Sequence, residues 1–254
     1  MPKITLGLYT GNTTPDTYGP NLIRMVLDLQ RHDALCEDLP FIHTSSCRVD
    51  SNRNAIIYHF LQNKEATHLF IVDSDMEHPP EMPRLLASRD RPIISGAYFH
   101  RNMNGSRAPQ SYNLVGESED SRPGYGKDRN NFYTPMISEA VEFYNKFPVP
   151  ETNSPLIITN SDGSLAKTSV YEMAASGFGC LLLSREALEQ LSPPYLQDEL
   201  GLNGDLAFFK KCASSGVKSF VDFSMICSHK GVVDIGVGEF ARFLQETVNG
   251  RDTL

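Results

Sequence analysis

The sequence predicts an α/β domain built on a mostly parallel sheet. Short apolar runs recur at Ile4 to Tyr9, Thr67 to Val72 and Ile93 to Tyr98. Helix-like segments lie between them, and the run at 67–72 is continuous, as suits a strand covered on both faces. Such strand-helix alternation is the pattern of a parallel sheet flanked by helices.

Taken in order, Ile4 to Tyr9 is the opening strand. Asn21 to Gln30 carries Leu22, Ile23, Met25, Val26, Leu27 and Leu29, which predicts a buried helix. Leu39 to Thr44 is a second strand. Asp50 or Ser51 caps a helix through Ile56, Ile57, Phe60 and Leu61. After the strand at 67–72, Pro79-Pro80-Glu81 forms a first helical turn with Leu85 and Leu86 inward. Residues 101–135 are rich in Asn, Ser, Gly, Arg and Asp, and read either as a mobile loop over a site or as simple disorder. Residues 136–173 suggest short strands, with Ser161-Asp162-Gly163 a hairpin turn. Phe178 to Leu183 is a strand, and Ser184 caps the helix holding Ala187, Leu188 and Leu191. Asn203 caps another, with Leu206, Phe209 and Ala213 on one face and Gly216 as its stop. Ser219 to Cys227 is a strand, and Glu239 to Val248 a last helix.

With 254 residues, no repeat and no clean linker, the chain is expected to be one domain. It divides into 1–100, a loop at 101–135 and a second half at 136–254. No apolar run approaches the length of a membrane span and no signal-like start is present, so a cytoplasmic protein is expected. The net charge of −8 disfavours non-specific binding to nucleic acid or membrane. The bases nevertheless gather between Arg84 and Arg129, where a local basic groove could track a polyanion. Five scattered cysteines, with no C-x-x-C pair, read as reduced buried thiols; the competing zinc site usually needs closer spacing.

The chemistry concentrates in His68-Leu69-Phe70-Ile71-Val72-Asp73-Ser74-Asp75-Met76. An apolar strand runs into two aspartates, and ligands of α/β sheets gather beyond the carboxyl ends of strands. Two carboxylates that close repel unless a cation joins them, and Mg²⁺ or Mn²⁺ suits oxygen ligands. The plainer reading is a solvated turn that happens to hold two acids. Glu77-His78 nearby either adds polar contacts beside the aspartates or reads, more simply, as exposed loop. No G-x-x-x-x-G-K-[ST] loop, G-x-S-x-G elbow or H-E-x-x-H is present, and Gly177-Phe178-Gly179 precedes a strand, so it is no dinucleotide fingerprint.

An ordered set of segments resembles the nucleotide-sugar glycosyltransferases of GT-A fold, nearest the broad family-two group and its short phage or bacterial members. The set is the opening strand Ile4 to Thr10, Arg53-Asn54, Asp73-Ser74-Asp75, Ser176 to Arg185, Gly204 to Phe209 and His229-Lys230-Gly231. It covers roughly residues 3–100 and 170–232. The resemblance implies a mixed, mostly parallel sheet flanked by helices. It implies transfer of a sugar from a UDP- or GDP-linked donor to a hydroxyl acceptor, with Mn²⁺ or Mg²⁺ as cofactor.

Carried over by position, Asp75 binds the metal, Asp73 the metal or the ribose, and His229 supplies a third ligand; His229 could equally be structural. Asp205 resembles the catalytic base, though an acid in a first helical turn also complements the helix dipole. Arg53 either contacts the donor or is a solvated helix residue. Thr10 and Asn12 lie where the family reads the nucleotide. Gly177 and Gly179 allow close backbone approach to the sugar, or mark a bulge. Many members carry Glu-Asp where this chain has Gly204-Asp205, which leaves one acid of two. A base opposite the leaving group implies inversion; without one, retention stays open. The acceptor could be a polysaccharide, a protein, a small molecule or, in a phage-encoded enzyme of the host cytoplasm, a modified DNA base. Competing readings of the same residues are a metal-dependent phosphohydrolase or nucleotidyltransferase, and a non-catalytic nucleotide- or carbohydrate-binding module.

Overall fold

The computed structural model describes residues 1–9, 16, 18–44, 48–99, 109–114, 133–147, 154–197 and 204–230. The first half runs β1 (Ile4–Tyr9), α1 (Tyr18–Arg31), β2 (Phe41–Thr44), α2 (Val49–Gln62), β3 (His68–Asp73), β4 (Met76–Glu77), α3 (Met82–Ala87) and β5 (Ile93–Ala97). The second runs β6 (Ser111–Leu114), β7 (Tyr133–Pro135), α4 (Ile137–Lys146), β8 (Leu156–Ile157), β9 (Val170–Met173) and β10 (Ala175–Ser176). It ends with β11 (Cys180–Ser184), α5 (Arg185–Glu189), α6 (Gly204–Ser214), β12 (Ser219–Ile226) and β13 (Ser228–His229). The proposed helix at 239–248 lies outside the described residues.

Eight strands form the central sheet in the order β2-β1-β3-β11-β5-β12-β8, with β9 also on β12. The pairs β1–β2, β1–β3 and β5–β12 are parallel. β11 runs antiparallel between β3 and β5, and β8 and β9 run antiparallel to β12. The sheet is therefore mixed and mostly parallel in strand direction, and helices flank it, as the GT-A resemblance implies.

Strand periodicity divides the core. Leu69 and Ile71 of β3, and Leu181 and Leu183 of β11, face the side covered by α2, α4, α5 and α6. Phe70, Val72, Cys180 and Leu182 face the other side, covered by α1 and α3. This alternation follows from side chains pointing to opposite faces at successive positions. On β1 the inner position against α2 is Gly7, where an added Cβ would stand 2.6 Å from Ile56 Cγ2. The missing side chain lets α2 lie close on the sheet.

Several boundaries differ from the sequence reading. α1 is amphipathic, not buried all round: Met25 and Leu29 are inside, while Ile23 is 61% and Leu27 52% exposed. Asn21 and Asp28 take inner positions because each finds polar partners there. α2 starts at Val49 with Arg48 as an N-cap that lends no side-chain bond, so neither Asp50 nor Ser51 caps it. α3 starts after the proline pair, with Pro83 in its first turn, where no N–H is needed. α4 was missed, although Ile137, Ala140, Val141 and Tyr144 carry the i, i+3, i+4, i+7 spacing of a helix face. Segment 101–135 is not irregular throughout: β6 pairs antiparallel with β7 and β10. In α6 the buried face is Ala207, Phe208, Phe209 and Cys212, and Ala213 is exposed. The proposed cap Asn203 is not described. Ser184 caps α5 through Ala187 N, Thr159 bridges Leu165 across the 161–163 turn, and Gly216 ends α6 at φ +75°.

One buried ion pair ties the sheet to the segment before β9. Arg89 Nε donates to Asp222 Oδ2 at 2.7 Å, and Nη2 donates to Ala166 O at 3.0 Å and Ser169 Oγ at 3.1 Å. Asp222 is fully buried, and its Oδ1 also accepts from Ser224 N and Oγ. Removing one partner of such a pair leaves an uncompensated charge. Arg89→Met is expected to lower stability by about 3–5 kcal/mol, read in a thermal melt as a fall in Tm of roughly 10 °C.

Candidate active site

The carboxyl end of β3, the turn after it, β13, the start of α6 and the segment before β11 converge on one cavity of about 320 Å³. Asp73 and Asp75 line it from the β3 side, with Met76 beside them. Tyr98 and Gln110 come from the stretch after β5, Phe178 and Gly179 from the turn before β11. Asp205 and His229 complete the wall. The volume is within the range of small-molecule sites.

The two-stranded ladder of β4 and β13 accounts for the meeting of Asp75 and His229. His229 pairs with Met76 and Ser228 with Glu77, and Lys230 N donates to Asp75 O at 2.7 Å. Lys230 Nζ also pairs with Glu77 Oε2 at 2.9 Å. His229 Nδ1 stands 3.1 Å from Phe99 O, and Nε2 stands 3.3 Å from Asp75 Oδ2. A carbonyl only accepts, so Nδ1 carries a proton. In the neutral ring, Nε2 then presents a lone pair to a carboxylate oxygen. Two acceptors facing each other at that distance suit a cation between them, or a proton.

Asp73 has a related feature. Its Oδ2 accepts from Arg53 Nη2 at 2.9 Å, while its Oδ1 is buried with no hydrogen-bond partner. An orphaned carboxylate oxygen fits a cation or a donor hydroxyl. Carboxylate oxygens suit Mn²⁺ or Mg²⁺, and an imidazole beside them suits Mn²⁺ better than Mg²⁺.

Arg53 is not a solvated helix residue. It projects from the second turn of α2, is 5% exposed, and bridges Asp73 through Nη2 and Asp205 through Nη1. Its guanidinium lies 4.7 Å from the centroid of the Phe178 ring. Burial disfavours the charge, but Asp205 and Asp73 outweigh it and hold the guanidinium more firmly protonated. Asp205 lies in the first turn of α6. Burial pushes its carboxyl above the usual range; Arg53 opposes this, and the negative charges of Asp73 and Asp50 add to it. Asp50 also accounts for Gly204. A Cβ at position 204 would collide with the Asp50 carboxylate, so a side chain there would displace Asp50.

The glycines before β11 are packed tightly against the protein itself. A Cβ on Gly177 would run into Tyr98 Oη and Gln110 Oε1, and one on Gly179 would stand 3.1 Å from Met76 Cγ. Gly179 lines the cavity, and its N–H donates to Tyr98 Oη at 3.2 Å. Thr10 and Asn12 lie outside the described residues.

Among the wall residues, sequence reading did not single out Tyr98, Gln110, Phe178 or Met76. Burial raises the Tyr98 phenol well above its ordinary value and the nearby Asp205 and Asp73 add to this, so its hydroxyl stays protonated. Burial pushes Tyr18 up to about 12, with Asp73 adding, and its hydroxyl has no hydrogen-bond partner. No motif marks these aromatics; only the fold places them. Three members of the basic stretch have internal roles. Arg84 Nε bonds Asp28 at 3.1 Å, Arg89 holds Asp222, and the Arg91 guanidinium lies 4.8 Å from the Phe220 ring centroid. The stretch's remaining bases, from Arg101 to Arg129, lie outside the described residues.

The Gly177 contact makes a test. Gly177→Ala is expected to cost about 1–3 kcal/mol through overpacking. Adding Tyr98→Phe removes one colliding atom and should recover part of the loss, seen as non-additive Tm values in a double-mutant cycle.

No protein-family model matches the chain, and no curated protein sequence does. Solved structures do. A197 from STIV is similar over 89% of this chain and 85% of its own, at 13% identity and a TM-score of 0.50. GalNAc-T7 with UDP, GalNAc and Mn²⁺ is similar at 13% identity and a TM-score of 0.45, over 90% of this chain but 44% of that one. S. aureus TarS 1–349 in complex with UDP-GlcNAc is similar at 13% identity and a TM-score of 0.43, over 88% and 58%. At these identities the likeness is one of fold. Among the described residues no helix is long and apolar enough to cross a membrane. The chain folds as a mixed, mostly parallel α/β sheet flanked by helices, and its polar cavity opens at the carboxyl end of β3.

Proposed function

We propose that the protein is a metal-dependent glycosyltransferase that moves a sugar from a nucleotide-diphosphate donor to a hydroxyl acceptor. The observation that carries this reading is the convergence of Asp73, Asp75, Asp205 and His229 on one cavity from three separate segments. Asp75 and His229, with the unpartnered Oδ1 of Asp73, would hold Mn²⁺ or Mg²⁺. The cation would neutralise charge on the departing diphosphate.

The remaining steps belong to the chain itself. Asp205 takes the proton from the acceptor hydroxyl as it attacks the anomeric carbon, on the face opposite the leaving group, so the product is inverted. A carboxylate whose pKa is raised by burial is the stronger base. Arg53 fixes Asp205 and Asp73 relative to each other, and orientation of this kind lowers the barrier. Tyr98 and Phe178 supply the apolar wall, and Gln110 is a polar contact for sugar or acceptor. Thr10 and Asn12 would read the nucleotide.

Two measurements test this. UDP or GDP with Mn²⁺ should raise Tm, and Asp75→Ala should abolish the shift. A panel of nucleotide sugars should then give sugar transfer; phosphate release with no sugar moved would instead favour a phosphohydrolase. For the base, the sign follows from ionisation: protonated Asp205 cannot accept a proton. kcat/KM should therefore fall as pH drops through a pKa above the ordinary carboxylate value. Asp205→Asn should lower the rate by about 10²–10⁴-fold.

A further inference from the structure

His78, expected in an exposed loop, is fully buried. It lies behind the cavity, at the junction of the turn after β4, the start of β11 and the end of β12. A ring nitrogen of His78 and the Sγ atoms of Cys180 and Cys227 all lie within 4.8 Å of one another. A fourth soft atom belongs to the group. Met82 Sδ, from the first turn of α3, is 3.1 Å from Cys180 Sγ and 3.5 Å from Cys227 Sγ. None of the four side chains is more than 1% exposed.

The orientation of His78 is fixed from outside the cluster. Its Nε2 stands 2.9 Å from Gly179 O, which can only accept, so Nε2 carries a proton. Its backbone N accepts no freedom either: it donates to Asn21 Oδ1 at 3.2 Å, and Asn21 Nδ2 donates to His78 O at 2.7 Å. Nδ1 is left buried with no hydrogen-bond partner. A histidine whose outer nitrogen is held by a carbonyl, with its other nitrogen buried and unpartnered and two thiols within 4.8 Å of the ring, is arranged as metal-ligating histidines are. Gly96 lets the sulfurs pack against β5: an added Cβ there would stand 2.9 Å from Cys180 Sγ and 3.0 Å from Met82 Cε.

We propose that Cys180, Cys227 and His78 Nδ1, with the Met82 thioether beside them, form a second, structural site for a thiophilic cation, zinc or copper(I). Two thiolates, an imidazole and a thioether are soft ligands that disfavour Mg²⁺ and Mn²⁺. The site is thus chemically distinct from the carboxylates of the cavity. Binding releases the two thiol protons. The ligand set leaves no route for substrate, so the ion acts by holding β11, the end of β12 and α3 together behind Gly179.

The test uses the full chain. Protein purified, dialysed against EDTA and analysed for metals should retain about one zinc or copper per chain, because a closed site exchanges slowly. If dialysed protein is empty, it is unfolded and refolded with Zn²⁺, or anaerobically with Cu(I); retention of either supports the site and identifies the ion. Refolding with Co²⁺ should give a thiolate-to-cobalt charge-transfer band. Asp75→Ala should keep both the ion and the band, and Cys227→Ala should lose both. Circular dichroism checks that the variants are folded; were Cys227→Ala unfolded, the wild-type cobalt spectrum decides. Folded wild-type protein that retains neither ion and shows no band overturns the proposal. So does a Cys227→Ala variant that binds as wild type.

Discussion

The buried guanidinium of Arg53 holds the candidate site together. Asp73 ends β3 and Asp205 begins α6, and the two carboxylates would repel across a part-buried gap. Arg53 stands between them, with one nitrogen on each. A buried charge is costly unless it is paired, and here each of the three charges compensates another. The planar fork of arginine can meet two carboxylates at once, which a lysine cannot. Phe178 covers the guanidinium and shields the bridge from water. Through this contact the position of the candidate base depends on a helix, α2, that contributes no residue to the cavity wall.

A second layer of constraints fixes the floor. Gly179 N–H meets Tyr98, its carbonyl meets His78, and the next residue is Cys180 of the thiol cluster. The β4–β13 ladder sets His229 against Asp75 from the opposite side. The polar cavity is thus framed by backbone-anchored contacts, which suits a site that must stabilise charge without rearranging. Carboxylate oxygens line the cavity and the sulfur cluster adjoins Gly179, so a hard and a soft cation would not compete for one site.

Much of the architecture is legible in the sequence because it follows from local pattern. Continuous apolar runs became β3, β5 and β11; Ser184 and Gly216 punctuate helices as their chemistry dictates. Asp73 and Asp75 stand where an apolar strand runs out, and strand ends are where α/β sheets bind ligands. What local pattern concealed has equally physical causes. Composition hid α4, since its helical spacing sits within a turn-rich stretch. Burial of Asn21 and Asp28 was hidden because each depends on a distant partner. The antiparallel run of β11 is set by the connection that enters it, which no property of Cys180 to Ser184 encodes.

By itself, the sequence determined that strands and helices alternate, that an aspartate pair closes a buried strand, and that cysteines are few and scattered. Only the tertiary structure decided which groups meet. Arg53 reaches Asp205 across 152 residues, and His229 reaches Asp75 across 154. Cys180 and Cys227 come together with His78 although their spacing suggested isolated thiols. Periodicity records which face of an element is apolar; it carries no record of which element packs there. Pairing across such separations is set by sheet order and by the burial that forces polar groups to find each other.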